Sequence, residues 1–320
     1  MASLNSSPSS GPLGASAPRG PLYLVLDLST NADVAKHTKA IVSALRLSRQ
    51  PFELLCARGD AELPAIAQRA VDLARRHQGA VVACGGDGTI NTVARAVMSS
   101  GLPFGVLPQG PRNEFARAHG LPDDPHQAAA IWQAGCVRAV QVGEVNGQPF
   151  LVNASVGVHP RVVQARLPDR QFGQQRVVPW RLALRNLFTA PRLLRLMLAS
   201  GRDVNYMQTP SLLVANDGLA LRELGLDARD VGAGQLAAVR VKTLGPSRLL
   251  RQALQGARHA VGPVQEVASH LFRQLTVVPT GIFQGPRMQV GIDGDMRWMD
   301  APLCFSVAAQ PLLLLTPSRA

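Results

Sequence analysis

Aromatic residues make up only 4% of the 320-residue chain, which leaves few stacking platforms for single-stranded nucleic acid, and no DNA- or RNA-binding motif interrupts it. A nucleic-acid partner is therefore not expected. Lysine is down to Lys36, Lys39 and Lys242, so arginine supplies nearly all of the 33 cations that outweigh 21 Asp plus Glu and set a formal charge of +12. Guanidinium suits phosphate and lipid headgroups, although an Arg- and Ala-rich base composition accounts for the same bias. The four cysteines, Cys56, Cys84, Cys136 and Cys304, form no C-x-x-C pair and lie mostly in apolar runs. They read as buried thiols of a reducing compartment, not as a metal cluster. Uninterrupted hydrophobic runs are missing as well. The longest uncharged stretch, Ala301 to Ser318, is broken by Pro302, Ser306, Gln310, Pro311 and Pro317, which favours two terminal strands over a membrane span. Residues 1–21 are rich in Ser, Gly, Pro and Ala without the apolar segment of a secretory signal, and are expected to be a disordered tail.

What is present is ample chain for two cores, with 46% hydrophobic and 17% charged residues. From Leu22, β-like runs alternate with helical stretches: LYLVLDL, Asp33 to Leu47, FELLCA, Asp60 to His77, AVVAC, Ile90 to Ser99 and FGVLP. Asp60 is positioned to cap a helix in which Leu63, Ile66, Ala67, Ala70, Val71 and Ala74 recur at helical spacing. Residues 22–143 thus predict a doubly wound α/β domain with a parallel sheet. After Gly135 the texture becomes VRAVQVGEV, PFLVNASVGV, SLLVAND, LAAVRVKTL, QLTVVPT and MQVGI between turn residues. Residues 144–309 predict an antiparallel β-sandwich domain, with the segment near 310–320 packing back on the first domain. The stretch 177–200 is read as a basic amphipathic helix, with Arg181, Arg185, Arg192 and Arg195 opposite Leu182, Leu187, Leu193, Leu194 and Met197, and Pro191 kinking it. It serves either as a cover for the β core or as an interfacial helix on anionic lipid.

The chemistry concentrates in Ala80 to Val93, AVVACGGDGTINTV. An apolar strand ends in Gly85, Gly86, Asp87, Gly88 and Thr89 and passes directly into a helix through Ile90 and Asn91. Glycines let the backbone approach an anion, and a helix N-terminus offers unpaired N–H groups and a positive dipole end. Asp87 would repel phosphate unless it meets Mg²⁺ or a nucleotide hydroxyl; a tight βα turn accounts for the glycines on steric grounds alone.

G-G-D-G-T followed by x-N resembles the diacylglycerol kinase catalytic family, and more loosely NAD kinases and phosphofructokinases. Phe104 to Pro122, FGVLPQGPRNEFARAHGLP, is similar to the family's strand and L-P-x-G-T-x-N-D-F-A-R, with Gly110, Asn113, Phe115, Ala116 and Arg117 in register. FLVNASVGV (Phe150 to Val158), VAN (Val214 to Asn216) and IDGD (Ile292 to Asp295) follow in the family's order, and within the family the sequence resembles the bacterial YegS-like soluble lipid kinases. The resemblance implies an ATP-dependent, Mg²⁺-requiring lipid kinase of phospholipid metabolism, acting on a diacylglycerol-like lipid. It implies a cytoplasmic protein held peripherally at an anionic membrane surface. Gly85, Gly86, Asp87, Gly88, Thr89, Ile90, Asn91, Gly110 and Asn113 would bind nucleotide. Asp295, in place of the family's catalytic Glu, and Asp293 would carry catalysis. On residues alone, Asp293-Gly294 is also an ordinary type I′ hairpin turn.

Several family positions differ. Thr92 replaces a Glu, Pro111 replaces the Thr of G-T-x-N, Arg112 replaces a small residue, and Leu55 stands where a nucleotide-contacting Thr is common. In Asp230 to Leu236, DVGAGQL, Ala233 takes the Asp position of a D-G-x-L segment linked to structural Mg²⁺, leaving Asp230, with Asp227 nearby, as the metal ligand expected here. The first strand ends in Asp27, Leu28, Ser29, Thr30 and Asn31 where the family has N-P-x-S/A-G. A second expectation, from a different class, is a weakened lipid-kinase-like protein that binds lipid, membrane or nucleotide without turnover.

Overall fold

The computed structural model describes residues 20–28, 34–47, 50–157, 193–223, 231–241, 267–280 and 285–318. The first half alternates as the sequence pattern predicts: β1 (Leu22–Asp27), α1 (Val34–Leu47), β2 (Phe52–Ala57), α2 (Leu63–His77), β3 (Ala80–Gly85), α3 (Asp87–Met98) and β4 (Phe104–Pro108). The short α4 (Glu114–Ala118), α5 (Pro125–Ala134) and β5 (Cys136–Val140) follow. β1, β3 and β4 are buried along their whole length, as strands covered on both faces must be. One face packs on α2 and α3 around Val25, Val81, Ile90 and Phe104; the other packs on α1 and α5 around Leu24, Val82, Ile41 and Trp132. Helix α2 departs from expectation at its start. Glu62, not Asp60, occupies the N-cap and makes no side-chain cap bond, because Pro64 already sets the first turn.

The strand order is β2-β1-β3-β4-β18-β5, where β18 (Leu312–Thr316) is the last strand of the chain. β1, β2, β3 and β4 pair in parallel, and β18 runs parallel to β4 and antiparallel to β5. The uncharged C-terminal stretch therefore forms β17 (Leu303–Val307) and β18, and among the described residues no helix is long and apolar enough to cross a membrane. Because β1 connects outward to β2 while β3 lies on its other side, the chain reverses its winding between β1 and β3. Ligands of open α/β sheets bind outside the carboxyl ends of the strands at such a point; here those ends are Asp27 and Gly85.

The remaining strands form two antiparallel sheets packed face to face. One has the order β10-β9-β14-β17-β6-β7 and the other β13-β12-β11-β8-β15-β16. Their strands are β6 (Gly143–Val145), β7 (Gln148–Phe150), β8 (Asn153–Gly157), β9 (Leu194–Ser200), β10 (Asp203–Thr209), β11 (Ser211–Ala215), β12 (Leu236–Val241), β13 (Val267–Phe272), β14 (Gln274–Pro279), β15 (Arg287–Ile292) and β16 (Asp295–Asp300). Phe150, Leu196, Val277 and Phe305 of one sheet meet Val156, Val214, Leu236 and Ile292 of the other. The helix α6 (Gly218–Glu223) covers the outer face of β11 and β12 through Leu221.

The expected helix over 177–200 is corrected at its end. Leu194 to Ser200 is strand β9, paired with β10 and β14, and Leu196 and Leu198 point inward while Arg195 points out. A period of two wins over the helical wheel because both neighbours supply ladder partners. Residues 177–192 lie outside the described residues.

Candidate active site

Gly85 closes β3 and Gly86 caps α3 through its carbonyl, which accepts from Ile90 N at 3.0 Å. The loop from β4 lies directly alongside: Gln109 N donates to Gly85 O at 2.8 Å, and a Cβ on Gly110 would come within 2.9 Å of Gly86 Cα. Only glycine permits that approach of two main chains. Gly88 is different, since it is exposed and a Cβ there would meet nothing. No packing demand explains a glycine in the first turn of α3, where it costs about 1 kcal/mol relative to Ala.

The other residues expected at the loop divide between the opening and the core. Thr89, Ile90 and Asn91 are buried, and Thr89 Oγ1 points to Asp27 Oδ2 at 3.5 Å across the winding reversal. Asp87 reaches α4 with one carboxylate oxygen: its Oδ1 accepts from Glu114 N at 2.9 Å. Asn113 does not cap α4 with its own side chain. Its residue sits at φ 49°, and its Oδ1 accepts from Gly110 N at 2.8 Å. Burial raises the Asp87 carboxyl above its ordinary value, against Arg112 and the main-chain N–H groups of residues 113–115. Arg112, the departure from a small residue, pairs with Glu114 at 3.2 Å. Thr92, in place of Glu, spends its hydroxyl on Gly88 O at 3.0 Å, and Leu55 is a core residue.

Asp293 and Gly294 form a two-residue turn with φ 48° and 97°, joining β15 to β16 with Ile292 paired to Asp295. Positive φ at both centres is the type I′ geometry. The turn's carboxylate is fully engaged: Asp293 Oδ2 accepts from Leu151 N at 2.7 Å, and Oδ1 accepts from Val152 N at 2.8 Å and Asn153 N at 3.0 Å. Burial pushes Asp293 up to about 6, against the pull of these donors and of Arg95. Asp293 thus ties the turn to the strand start at 151–153. Asp295, the first residue of β16, is exposed.

Arg95 connects the two halves. It lies on α3, its charge is felt together with those of Asp293, Asp295 and Arg297, and burial followed by Arg297 lowers its basicity. Sequence reasoning passed over it, although Asp87, Asn91 and Arg95 repeat at intervals of four along one helix face.

The segment matching D-G-x-L is held by an amide network. Gln141 Oε1 accepts from Gly234 N at 2.7 Å, and its Nε2 donates to Gln235 O and Asn216 Oδ1, each at 3.0 Å. Asn216 Nδ2 returns to Gln141 O at 2.9 Å and Leu151 O at 2.8 Å. Asp227 and Asp230 lie outside the described residues. Among the described residues no group of three or more His, Cys, Asp or Glu converges to hold a metal ion.

Residues 21–145 match the family model of the diacylglycerol kinase catalytic domain. A Yersinia pestis protein named as a probable lipid kinase YegS-like is 28% identical over 242 residues, covering 72% of each chain. An uncharacterized protein of Synechocystis is 34% identical over 84 residues, 26% of this chain, a stretch spanning 19% of that protein. The crystal structure of a diacylglycerol kinase from Bacillus anthracis superposes with a TM-score of 0.64 at 16% identity, covering 93% of this chain and 97% of that one; at this identity the likeness concerns the fold.

Proposed function

Starting from this kinship with the diacylglycerol kinases and YegS-like lipid kinases, we propose that the chain transfers the γ-phosphate of ATP to a hydroxyl of a diacylglycerol-like membrane lipid. One observation carries the reading: the helix that opens on the Gly85–Asn91 loop also bears Arg95, whose charge interacts with those of Asp293 and Asp295 at the turn. The phosphate-binding loop then opens α3, and the acceptor base stands on β16 near Arg95 of the same helix. Gly88, exposed and sterically unrequired, leaves the first turn of α3 open to phosphate oxygens, whose charge the N–H groups and helix dipole favour.

On this reading the acceptor hydroxyl oxygen bonds to the γ-phosphorus while the bond to the β–γ bridging oxygen breaks. The hydroxyl proton passes to Asp295, and ADP leaves. Asp87 and Asp293 are positioning residues: one holds the two nucleotide-side loops together, the other holds the turn that presents Asp295. Mg²⁺ would enter as the counter-ion of the nucleotide and neutralise charge on its phosphates. The arginine surplus suits peripheral contact with an anionic bilayer.

A second reading, binding without turnover, is favoured by Pro111, which removes a hydroxyl and an N–H from the loop, and by Ala233. The test is label transfer from γ-labelled ATP and Mg²⁺ to micelles of diacylglycerol, ceramide, sphingoid base or phosphatidylglycerol, with Asp295→Asn alongside. Labelled lipid from the parent that falls by at least about 10²-fold in the variant is expected. No label on any lipid, together with no thermal shift by nucleotide, selects the second reading.

A further inference from the structure

Arg95 Nη2 is enclosed and has no hydrogen-bond partner. A charged donor left this way is costly, so the position is informative. Helical side chains lean toward the N-terminus, so a residue in the third turn of α3 leans toward the end that opens on the glycine loop. The neighbouring groups do not satisfy it. Asp293 gives both carboxylate oxygens to Leu151, Val152 and Asn153. Arg297 repels it and donates to Gln148 Oε1 at 3.3 Å. Asp295 is exposed and makes no ion pair with it within 4 Å. Two guanidinium groups therefore stand beside the D-G-D turn with one carboxylate already spent on main-chain N–H groups.

We propose that Arg95 binds a phosphoryl oxygen of a ligand in the space between α3 and the Asp293–Asp295 turn. The inference rests on the kinase reading for its location, and deepens it by adding a binding residue from the middle of α3. The oxygen belongs either to the γ-phosphate of ATP or to the phosphate of an anionic lipid headgroup.

Arg95→Met and Arg95→Lys are compared with the parent chain in three measurements: melting temperature alone, its shift by Mg-ATP against Mg-ADP, and KM for diacylglycerol and phosphatidylglycerol in label transfer. Because Arg95→Met removes an enclosed N–H₂ group that has no hydrogen-bond partner, its unliganded melting temperature is expected to equal or exceed the parent's. If the γ-phosphate is the ligand, the extra shift by Mg-ATP over Mg-ADP disappears in Arg95→Met and is partly kept in Arg95→Lys. If a headgroup phosphate is the ligand, KM for phosphatidylglycerol rises on the order of tenfold while that for diacylglycerol holds. Both shifts and both KM values unchanged in Arg95→Met overturn the proposal whatever its melting temperature, and a lower melting temperature then marks the residue as structural. A parent that transfers no label refutes the kinase reading, while the Mg-ATP and Mg-ADP shifts still decide the role of Arg95.

Discussion

Asp87 Oδ1 lies 2.9 Å from Glu114 N, joining the first residue of α3 to the first residue of α4 across 27 positions of chain. This carboxylate supplies the cap of α4 that Asn113, with its side chain turned to Gly110 N, does not provide. The two glycine loops are joined by this link, by Gln109 N donating to Gly85 O and by the contact of Gly86 with Gly110.

Replacing Asp87 by Ala is expected to lower the stability of the unliganded protein by about 1–2 kcal/mol, the usual worth of a capping carboxylate. Asp87→Asn should recover part of that loss, since one amide oxygen still accepts. Denaturant unfolding of the unliganded chain measures both. Unchanged midpoints would show that the Glu114 link contributes nothing without nucleotide.

Asp293→Asn keeps the volume but turns an amide N–H₂ toward main-chain donors, leaving at least one of the Leu151, Val152 and Asn153 N–H groups unpaired. A loss of about 1–3 kcal/mol is expected. The pH dependence carries a second signature. With Asp293 at about 6 in the folded chain and 3.8 as its ordinary value, the folded state binds the extra proton between these values. Its contribution is therefore full below about pH 4 and is lost as pH rises through 6, by about 3 kcal/mol. Asp293→Asn should abolish that slope in unfolding measured from pH 4 to 7.

His119 runs the other way. It follows α4, packs edge-on against Phe115 with ring centroids 4.6 Å apart, and is held down to about 4 by burial and by Arg138. The unfolded chain takes up the proton first. The stability tied to the neutral ring is thus present above about pH 6.5 and lost as pH falls through 4, by about 3 kcal/mol at most. His119→Gln should flatten acid unfolding over this window, and a proton titration of the ring near 6.5 in the folded protein would sink the assignment. In the parent chain the opposing slopes of Asp293 and His119 offset one another between pH 4 and 6.

Much of the architecture was legible because it is written locally. Strands β2 and β4 coincide with FELLCA and FGVLP, and the glycine loop and the Asp293-Gly294 turn follow from which residues tolerate their φ and ψ. Likewise, the resemblance placed Asn113 and Asp295 by order along the chain. Of the assignments that failed, the cap of α2 moved from Asp60 to Glu62, and β9 within an expected helix concerns a short apolar run that fits either period until neighbouring strands choose.

What the sequence by itself determined is the list of local conformations and the identity of the loops: conformational preference depends on a residue and its near neighbours. Tertiary structure alone decided which donor each polar group meets. It assigned Asp87 to α4, Asp293 to residues 151–153, Gln141 to the loop at Gly234 and Gln235, and β18 to its place between β4 and β5. A hydrogen bond is formed within about 3 Å whatever the separation in chain. No periodicity or spacing encodes that distance, and it is set only when the sheets and helices bury their apolar faces together.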